Sequence, residues 1–292
     1  MAARGLFVGL STLDVIQLVE RLPGQDEKIR GLDDMLAAGG PATNAAVAFA
    51  HLGGEATLVT RAADGPIWDL MRADLEACGV RVVRAPSVRV PTVASILVTR
   101  STGDRAVISS GDRGQTDAPP PAADLDLELA DFDVLLLDGH EADVAEQLAN
   151  RARDAGVPSV MDGGSWKPTT PALLPLVDAA VVSSAFRPPP AQSVDEIFAA
   201  LGTAEFRAIT RGAGGVIAEG TRGRFELTAE QVPVADTLGA GDFFHGAFAH
   251  HIAERGLTGD SFVEALEQGA RVAADSIQSF GTRAWLRLPK RR

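Results

Sequence analysis

Short apolar runs alternate with longer alanine-rich amphipathic segments along most of this 292-residue chain. An alternation of this kind predicts βαβ units, in which helices cover both faces of a mostly parallel sheet, and so an α/β fold. The predicted strands are Leu6–Leu10, Thr57–Thr60, Val134–Asp138, Ser159–Asp162, Ala180–Val182 and Arg207–Thr210. The predicted helices are Ala42–Leu52, Pro66–Ala77, Ala142–Ala155, Val194–Leu201, Ala240–Glu254 and Ser261–Ser279.

Two regions interrupt this alternation, because Asp14–Asp34 and Arg81–Ser110 have an extended pattern without an intervening helix. Within the second region, Thr92–Thr99 and Arg105–Ser109 flank a short polar turn and are predicted to form a hairpin. We therefore expect one domain over residues 1–292, with both segments inserted as a separate small sheet. A sheet at the ligand edge of an α/β domain can serve as a lid.

Charge and composition exclude several classes of protein. The net charge of −12 argues against a general affinity for nucleic acid or an anionic membrane surface. Because the chain has no apolar run of about 18 residues and no leader-like start, we expect a cytoplasmic protein without a transmembrane helix. Its single cysteine, Cys78, excludes an intramolecular disulfide and any multi-cysteine metal site.

The segment Asp236–Gly246, with the sequence DTLGAGDFFHG, is the strongest chemical signal in the chain. Its glycines allow a tight turn and a close approach of a ligand to the backbone. A helix that begins here leaves the N–H groups of its first turn without partners, and these donors favour an anion such as a phosphoryl group. Asp242 is then either a helix cap or a general base for an attacking hydroxyl group. The spacing alone leaves both possibilities open.

Two further elements carry candidate polar groups. Gly39 and Gly40 precede an alanine-rich helix whose first turn carries Asn44, and Asn44 is either a local hydrogen-bonding residue or a ligand contact. Asp14 follows the first predicted strand, near the edge where open parallel sheets bind ligands. It is either a turn residue or a carboxylate that accepts hydrogen bonds from neighbouring hydroxyl groups.

Together these segments resemble the ribokinase-like (PfkB) family of carbohydrate kinases, over the chain from about Leu6 to Gly281. The resemblance rests on Asp14, the Gly39–Gly40 pair with Asn44, and the Asp-Thr-x-Gly-Ala-Gly-Asp pattern of Asp236–Asp242. It implies a ribokinase-like three-layer sandwich with a small β-sheet lid, which in this family often also forms a homodimer interface. It also implies transfer of the γ-phosphoryl group of ATP, with Mg²⁺, to a sugar hydroxyl.

The resemblance implies a role for each matching residue. Asp242 would be the catalytic base, and the backbone of Gly239, Ala240, Gly241 and Asp242 would form the anion hole. The implied substrate-binding residues are Asp14, Gly39, Gly40, Asn44, Arg105, His140 and Asp236. The implied nucleotide-binding residues are Thr210, Gly212 and Gly215, together with Ala274 and Ile277 beside the adenine.

Within the family, Gly9–Arg30 is similar to ketohexokinase-like and fructokinase-like members, and Gly39–Gly53 to bacterial sulfofructose kinase. This similarity favours a ketose substrate. The relatives carry arginine near the position of His140, so the histidine disfavours an anionic sugar.

Ser183–Arg187 stands where the family carries an Asn-x-x-Glu motif, which leaves the protein ligands of Mg²⁺ unassigned. The loop that binds a monovalent cation is also not clearly matched. Two alternatives remain: a nucleoside or other small-alcohol kinase of the same fold, and a catalytically silent protein that binds a sugar or a nucleotide.

Overall fold

Nine strands form one large sheet, and four strands form a second, smaller sheet. A computed structural model describes residues 2–110 and 125–288 of the chain. The strands are β1 Arg4–Val8, β2 Thr12–Val19, β3 Asp33–Gly39, β4 Glu55–Arg61, β5 Val80–Ala85, β6 Thr92–Thr99, β7 Arg105–Ser109, β8 Val134–Leu137, β9 Ser159–Gly163, β10 Ala179–Ser183, β11 Phe206–Thr210, β12 Val216–Gly220 and β13 Gly223–Leu227. The helices are α1 Pro41–His51, α2 Pro66–Ala77, α3 Ala142–Ala155, α4 Thr170–Leu173, α5 Val194–Ala200, α6 Ala240–Arg255 and α7 Gly259–Ser276.

The large sheet has the order β13-β12-β11-β10-β9-β8-β1-β4-β5. The seven strands from β11 to β5 are parallel, and the last two, β12 and β13, are antiparallel. One buried cluster packs α1, α2, α6 and α7 against one face, for example through Phe49, Met71 and Phe248. A second cluster packs α3, α4 and α5 against the other face, for example through Leu148 and Phe198. The predicted three-layer α/β fold is confirmed.

The small sheet has the order β3-β2-β6-β7. Its β2 and β6 run parallel, whereas the outer pairs β2–β3 and β6–β7 are antiparallel. One face buries Ile16, Ile96 and Val98 together with Leu238 and Phe280. Because Leu238 lies inside the glycine-rich segment, the small sheet packs directly on the start of α6.

Some elements differ from the sequence-based expectation. Residues 81–85, placed at the start of the second inserted segment, belong to β5, which pairs with β4 in the large sheet. The antiparallel strands β12 and β13 were not predicted, and α7 ends at Ser276 rather than Ser279. The predicted hairpin over Thr92–Thr99 and Arg105–Ser109 is present as β6 and β7. None of the helices in residues 2–110 and 125–288 is both long and apolar enough to cross a membrane.

Candidate active site

The segment Asp236–Gly246 enters α6 through Gly239, which has a left-handed backbone conformation with φ of 75°. The N–H group of Ala240 makes a long hydrogen bond of 3.4 Å to the Thr237 carbonyl oxygen. Those of Gly241 and Asp242 have no carbonyl one turn earlier to bind, so they form a positively polarised surface. Gly241 is exposed, and a Cβ atom built at this position would meet no heavy atom within 4 Å. Open space therefore lies directly beside the N–H groups that an anion would bind.

Asp242 is in the first turn of α6, and its carboxylate points toward α1 rather than back over the helix end. Its Oδ2 accepts a hydrogen bond of 2.9 Å from Nδ2 of Asn44, which is itself buried. Burial, reinforced by the charge of Asp162, raises the pKa of Asp242 to about 7. N-terminal capping of α6 is not the role of this side chain, because the cap residue is Gly239 and no side chain caps the helix.

Two buried groups lie on the core side of Asp242. His245, one turn further along α6, has Nδ1 2.7 Å from the Gly241 carbonyl oxygen and Nε2 3.0 Å from that of Val181. The same Nδ1 lies 3.3 Å from Oδ2 of Asp162, at the end of β9. Burial lowers the pKa of His245 and raises that of Asp162. The histidine is therefore a packed residue that ties α6 to β10.

Asp14 lies within β2 of the small sheet and is buried, so it is not a turn residue. Its Oδ1 accepts a hydrogen bond of 2.6 Å from Oγ1 of Thr12. Burial raises the pKa of Asp14, and Thr12 and Arg283 oppose this shift. The backbone of Gly39 passes beside this carboxylate, and a Cβ at Gly39 would lie 2.0 Å from Oδ2 of Asp14.

Gly40 completes the turn from β3 into α1. Its φ is 104°, and an added Cβ would lie 2.2 Å from the Leu10 carbonyl oxygen. Two independent constraints, the positive φ and the close backbone approach, therefore require glycine here. This turn brings the start of α1, with Asn44, next to Asp14 and Asp242.

Asp138, which follows β8, joins three segments of the site. Its Oδ2 accepts hydrogen bonds from the backbone N–H groups of Leu10 (2.9 Å) and Ala42 (3.2 Å), and its Oδ1 accepts one from His140 (2.8 Å). His140 is thus held at the end of β8 by its backbone. The next residue, Glu141, is buried in an ion pair of 3.1 Å with Arg61.

Arg105 and Asp236 both lie next to the glycine-rich segment. Nη1 of Arg105, at the start of β7, donates a hydrogen bond of 2.9 Å to Oγ1 of Thr237. The Asp236 carboxylate accepts hydrogen bonds from the backbone N–H groups of Leu238 (2.8 Å) and Gly281 (2.9 Å). Asp236 therefore orders the turn that precedes α6, and both of its oxygen atoms are already bound to the backbone.

The residues expected to contact the nucleotide come from two elements. Thr210 ends β11, and Gly212 and Gly215 border a short 3₁₀ turn at Gly212–Gly214 with φ values of 55° and 77°. Ala274 is in the last turn of α7, and Ile277 follows it. The Ile277 carbonyl oxygen accepts hydrogen bonds from the N–H groups of Ala235 and Asp236, so the end of α7 is attached to the catalytic segment.

The model of the pfkB family carbohydrate kinases matches residues 3–290. The chain belongs to this family. It is therefore a phosphotransferase with an alcohol group as acceptor, and ATP is its phosphoryl donor. A ribokinase of Arabidopsis thaliana is 27% identical, over 94% of this chain and 76% of its own length. An ATP-dependent ribose-1-phosphate kinase of Halopiger xanaduensis is 28% identical, over 95% of this chain and 97% of its own length.

Solved structures share this pfkB family fold. The structure of the Arabidopsis thaliana ribokinase in complex with ribose and ATP has a TM-score of 0.74 and 24% identity. The match covers 99% of this chain and all of that chain. At this identity, the similarity supports the fold of this chain, with its large sheet and its small sheet.

Several site residues of this pfkB family member were not found from the sequence. Asp138 directly follows the buried strand β8, and Asp162 is the second-last residue of the buried strand β9. Both lie at the edge where open parallel sheets bind ligands, and a charged residue in that position was the signal available for them. Arg283 carried no such signal, because its contacts with Asp74 and Asn44 join residues more than 200 positions apart.

A metal site built from protein side chains is not present in the part of the chain described. Within residues 2–110 and 125–288, no group of three or more histidine, cysteine, aspartate or glutamate side chains is placed to hold a metal ion. The stretch Ser183–Arg187, which begins at the last residue of β10, stands where the family motif would supply asparagine and glutamate. These residues do not offer Mg²⁺ a carboxylate ligand.

Proposed function

We propose that this chain transfers the γ-phosphoryl group of ATP to a hydroxyl group of a small carbohydrate, with Asp242 as the general base. The observation that carries the proposal is the position of the Asp242 carboxylate. It belongs to the first turn of α6, where the N–H groups of Gly241 and Asp242 have no backbone partner, and it is held there by Asn44. A carboxylate next to an anion site is unfavourable unless it removes a proton from a group that attacks the anion.

The proposed mechanism is direct in-line transfer. The acceptor hydroxyl group lies between Asp242 and the γ-phosphorus atom, and Asp242 takes its proton as the new P–O bond forms and the bond to ADP breaks. The backbone N–H groups of Gly239–Asp242 stabilise the negative charge that develops on the transferring phosphoryl oxygens. Asp14, Gly39, Gly40, Asn44 and His140 bind the acceptor, and Arg105, already next to Thr237, contributes positive charge.

We further propose that Mg²⁺ enters with ATP, held by phosphate oxygens and water molecules. Thr210, Gly212 and Gly215 would border the nucleotide phosphates and ribose, and Ala274 and Ile277 the adenine. The small sheet would act as the lid over the acceptor, since its inner face packs against Leu238.

For the acceptor itself we propose a ketose, on the similarity of Gly9–Arg30 to ketohexokinase-like sequences. The curated relatives are ribokinases and a ribose-1-phosphate kinase, so ribose and ribose 1-phosphate are the competing acceptors. These acceptors differ in charge and ring substituents and can be compared directly in one assay.

The test is ADP release with Mg-ATP against a panel of ketoses, aldoses, ribose 1-phosphate and nucleosides. Asp242→Asn should lower kcat for the best acceptor by about 10²–10⁴-fold, the usual range for a general base. The matched control is Asp260→Asn, which changes an exposed first-turn aspartate of α7 and should leave kcat unchanged. ATP should bind Asp242→Asn normally.

Each other outcome has a distinct meaning. Near-normal turnover by Asp242→Asn would exclude the general-base role. Faster phosphorylation of a nucleoside than of any sugar would identify a nucleoside kinase. Thermal stabilisation by a sugar or nucleotide without ADP release would identify a silent binding protein.

We also propose that the outer face of the small sheet forms a homodimer. A row of residues in register crosses all four strands on that face: Leu36, Val15, Ser95 and Ile108. Leu36 and Ile108, on the two edge strands β3 and β7, are 56% and 70% exposed, which is a large exposure for apolar side chains on one face of a sheet. A second copy of the same sheet would cover them.

Light scattering of the purified chain should give the mass of a dimer. Leu36→Lys with Ile108→Lys should give a monomer. Val88→Lys, which changes an exposed valine outside the sheet, should leave the dimer intact. A wild-type monomer at micromolar concentration would contradict the dimer proposal.

A further inference from the structure

Arg283 lies just before the short 3₁₀ helix Ala284–Arg287, and its side chain is largely buried. Nε and Nη2 donate hydrogen bonds of 3.2 and 2.9 Å to Oδ2 of Asp74, on α2. Nη2 also donates to the carbonyl oxygen of Ala38, at the end of β3. The same Asp74 oxygen accepts a hydrogen bond from the N–H group of Ala38. The guanidinium group is therefore held in one orientation from two sides.

The remaining guanidinium nitrogen, Nη1, contacts Asn44, which in turn contacts Asp242. Nη1 of Arg283 lies 3.3 Å from Oδ1 of Asn44, and Nδ2 of Asn44 donates to Oδ2 of Asp242 at 2.9 Å. A guanidinium group can only donate hydrogen bonds, and an ionised carboxylate can only accept them. Only one orientation of the Asn44 amide satisfies both neighbours. The opposite orientation would place its NH₂ group against Arg283 and its oxygen against Asp242.

We propose that Arg283, anchored by Asp74, is a positioning residue that fixes the Asn44 amide so that it donates to the Asp242 carboxylate. In this role Arg283 acts through Asn44. The inference rests on the proposed role of Asp242 as general base.

The hydrogen bond from Asn44 is one of several influences on the pKa of Asp242. Asp138 and Asp162, at the ends of β8 and β9, raise the pKa of Asp242, whereas Asn44 and His245 lower it. Removal of the Asn44 donor must therefore raise this pKa further. Around Arg283 lie Asp74, Asp14 and the Cys78 thiol. Loss of the Arg283 charge would thus also act on Asp14.

The test measures the pKa of Asp242 directly, by carbon NMR of the full chain labelled at the aspartate carboxyl carbons. The Asp242 signal is assigned by its loss in Asp242→Asn. Arg283→Gln should raise this pKa by about 0.5–1 unit, whereas the exposed matched control Arg287→Gln should leave it unchanged. Arg283→Lys keeps the charge but cannot reach Asp74, Ala38 and Asn44 together, so it should give the same rise. A wild-type value in Arg283→Lys or in Arg283→Gln would overturn the inference.

A double-mutant comparison isolates the path through Asn44. Asn44→Ala should raise the pKa of Asp242 by as much as Arg283→Gln, and the double variant should show no further rise. An additional rise of full size in the double variant would overturn the inference. If Arg283→Gln does not fold, Asp74→Asn replaces it: the weaker anchor should give a smaller rise, and no rise would count against the inference.

Kinetics then connects the hydrogen bond to turnover. In Arg283→Gln, the acid limb of kcat should move to higher pH, so that kcat falls about 3–10-fold below the midpoint and recovers above it. A role in folding alone would lower kcat without moving the limb, and this result would overturn the inference. The NMR result does not depend on turnover. A wild-type chain that phosphorylates no sugar, but whose Asp242 responds as described, would contradict the proposed function and leave the positioning role intact.

Discussion

The backbone of Gly39 lies so close to the Asp14 carboxylate that a Cβ on Gly39 would be 2.0 Å from Oδ2 of Asp14. Gly39 ends β3 and Asp14 lies on the neighbouring strand β2, where the two residues flank the pair Leu13–Ala38. Any side chain at position 39 must therefore displace Asp14, which is the residue proposed to bind the hydroxyl groups of the acceptor.

Gly39→Ala should raise KM for the acceptor by about tenfold or more, because a shift of about 1 Å in a binding group misplaces the substrate. KM for ATP should change little. The control is Gly24→Ala, where the nearest atom to the added methyl group would be 3.4 Å away. Equal KM values for the acceptor in the two variants would show that Asp14 does not bind it.

The pH dependence of turnover should report Asp242. Because burial and Asp162 raise the pKa of Asp242 to about 7, and a general base must be ionised, kcat should fall as pH drops through about 7. A carboxylate with an ordinary pKa would remain active down to about pH 4. The measurement is kcat at saturating ATP and acceptor over pH 5–9, with wild-type stability verified at each pH. A flat profile from about pH 5.5 to about 8 would contradict the assignment.

The Asp242 carboxylate should lower the free energy of unfolding at neutral and alkaline pH. The pKa of Asp242 in the folded state lies above its value of 3.8 in the unfolded state. The folded state therefore holds the Asp242 proton more tightly, and the stability that this adds is fully present below pH 3.8. The contribution is lost as pH rises toward about 7, the pKa of the folded state. Asp242→Asn removes this titration and can keep the hydrogen bond with Asn44. At pH 8 the variant should be more stable than the wild type by on the order of 1–3 kcal/mol.

Urea unfolding at pH 4.5 and pH 8 measures this difference. The stability advantage of Asp242→Asn should be small at the lower pH and largest at the higher one. A variant that is less stable than the wild type by the same amount at both pH values would show that the carboxylate is not strained by burial.

Two glycines of α6 should separate folding from activity. A Cβ at Gly246 would lie 2.3 Å from the Ala45 carbonyl oxygen and 2.7 Å from Cβ of Ala48, so Gly246→Ala should force α6 away from α1. We expect a loss of about 1–3 kcal/mol in the free energy of unfolding. At Gly241 an added methyl group meets no atom within 4 Å, and alanine favours the helix by about 0.5–1 kcal/mol. Gly241→Ala should therefore fold well.

The variant that keeps its stability, Gly241→Ala, should be the one that loses activity. The Gly241→Ala methyl group enters the space proposed for the transferring phosphoryl group, so kcat/KM for ATP should fall about 10–100-fold without loss of stability. The two variants are compared by urea unfolding and by steady-state kinetics on the same preparations. Normal kinetics in Gly241→Ala would place the phosphoryl group elsewhere.

The sequence predicted what depends on local pattern. The alternating segments correctly predicted the layers, and Asp236–Asp242 correctly indicated a turn into a helix, because glycine spacing and helix periodicity are local properties. The sheet that each extended segment joins was not predictable in the same way. Residues 80–85 have the same extended pattern as β6, yet they pair with β4, because pairing depends on the position of distant strands.

Polar contacts between residues far apart in the sequence were also not predictable. Arg283 reaches Asn44 from the opposite end of the chain, and no spacing rule links residues 239 positions apart. The strands β12 and β13 were also missed: each is only five residues long, and β13 is largely exposed at the edge of the sheet.

The division of the site between two sheets bears on how such a protein can diverge in evolution. Asp14 and Gly39 belong to β2 and β3 of the small sheet, whereas Asp242 belongs to a helix packed on the large sheet. The two halves are joined by short polar contacts such as Arg105 with Thr237. With the proposed roles, gene duplicates can acquire new acceptors in part by substitutions on the four short strands, while selection preserves the start of α6 that is proposed to receive the phosphoryl group.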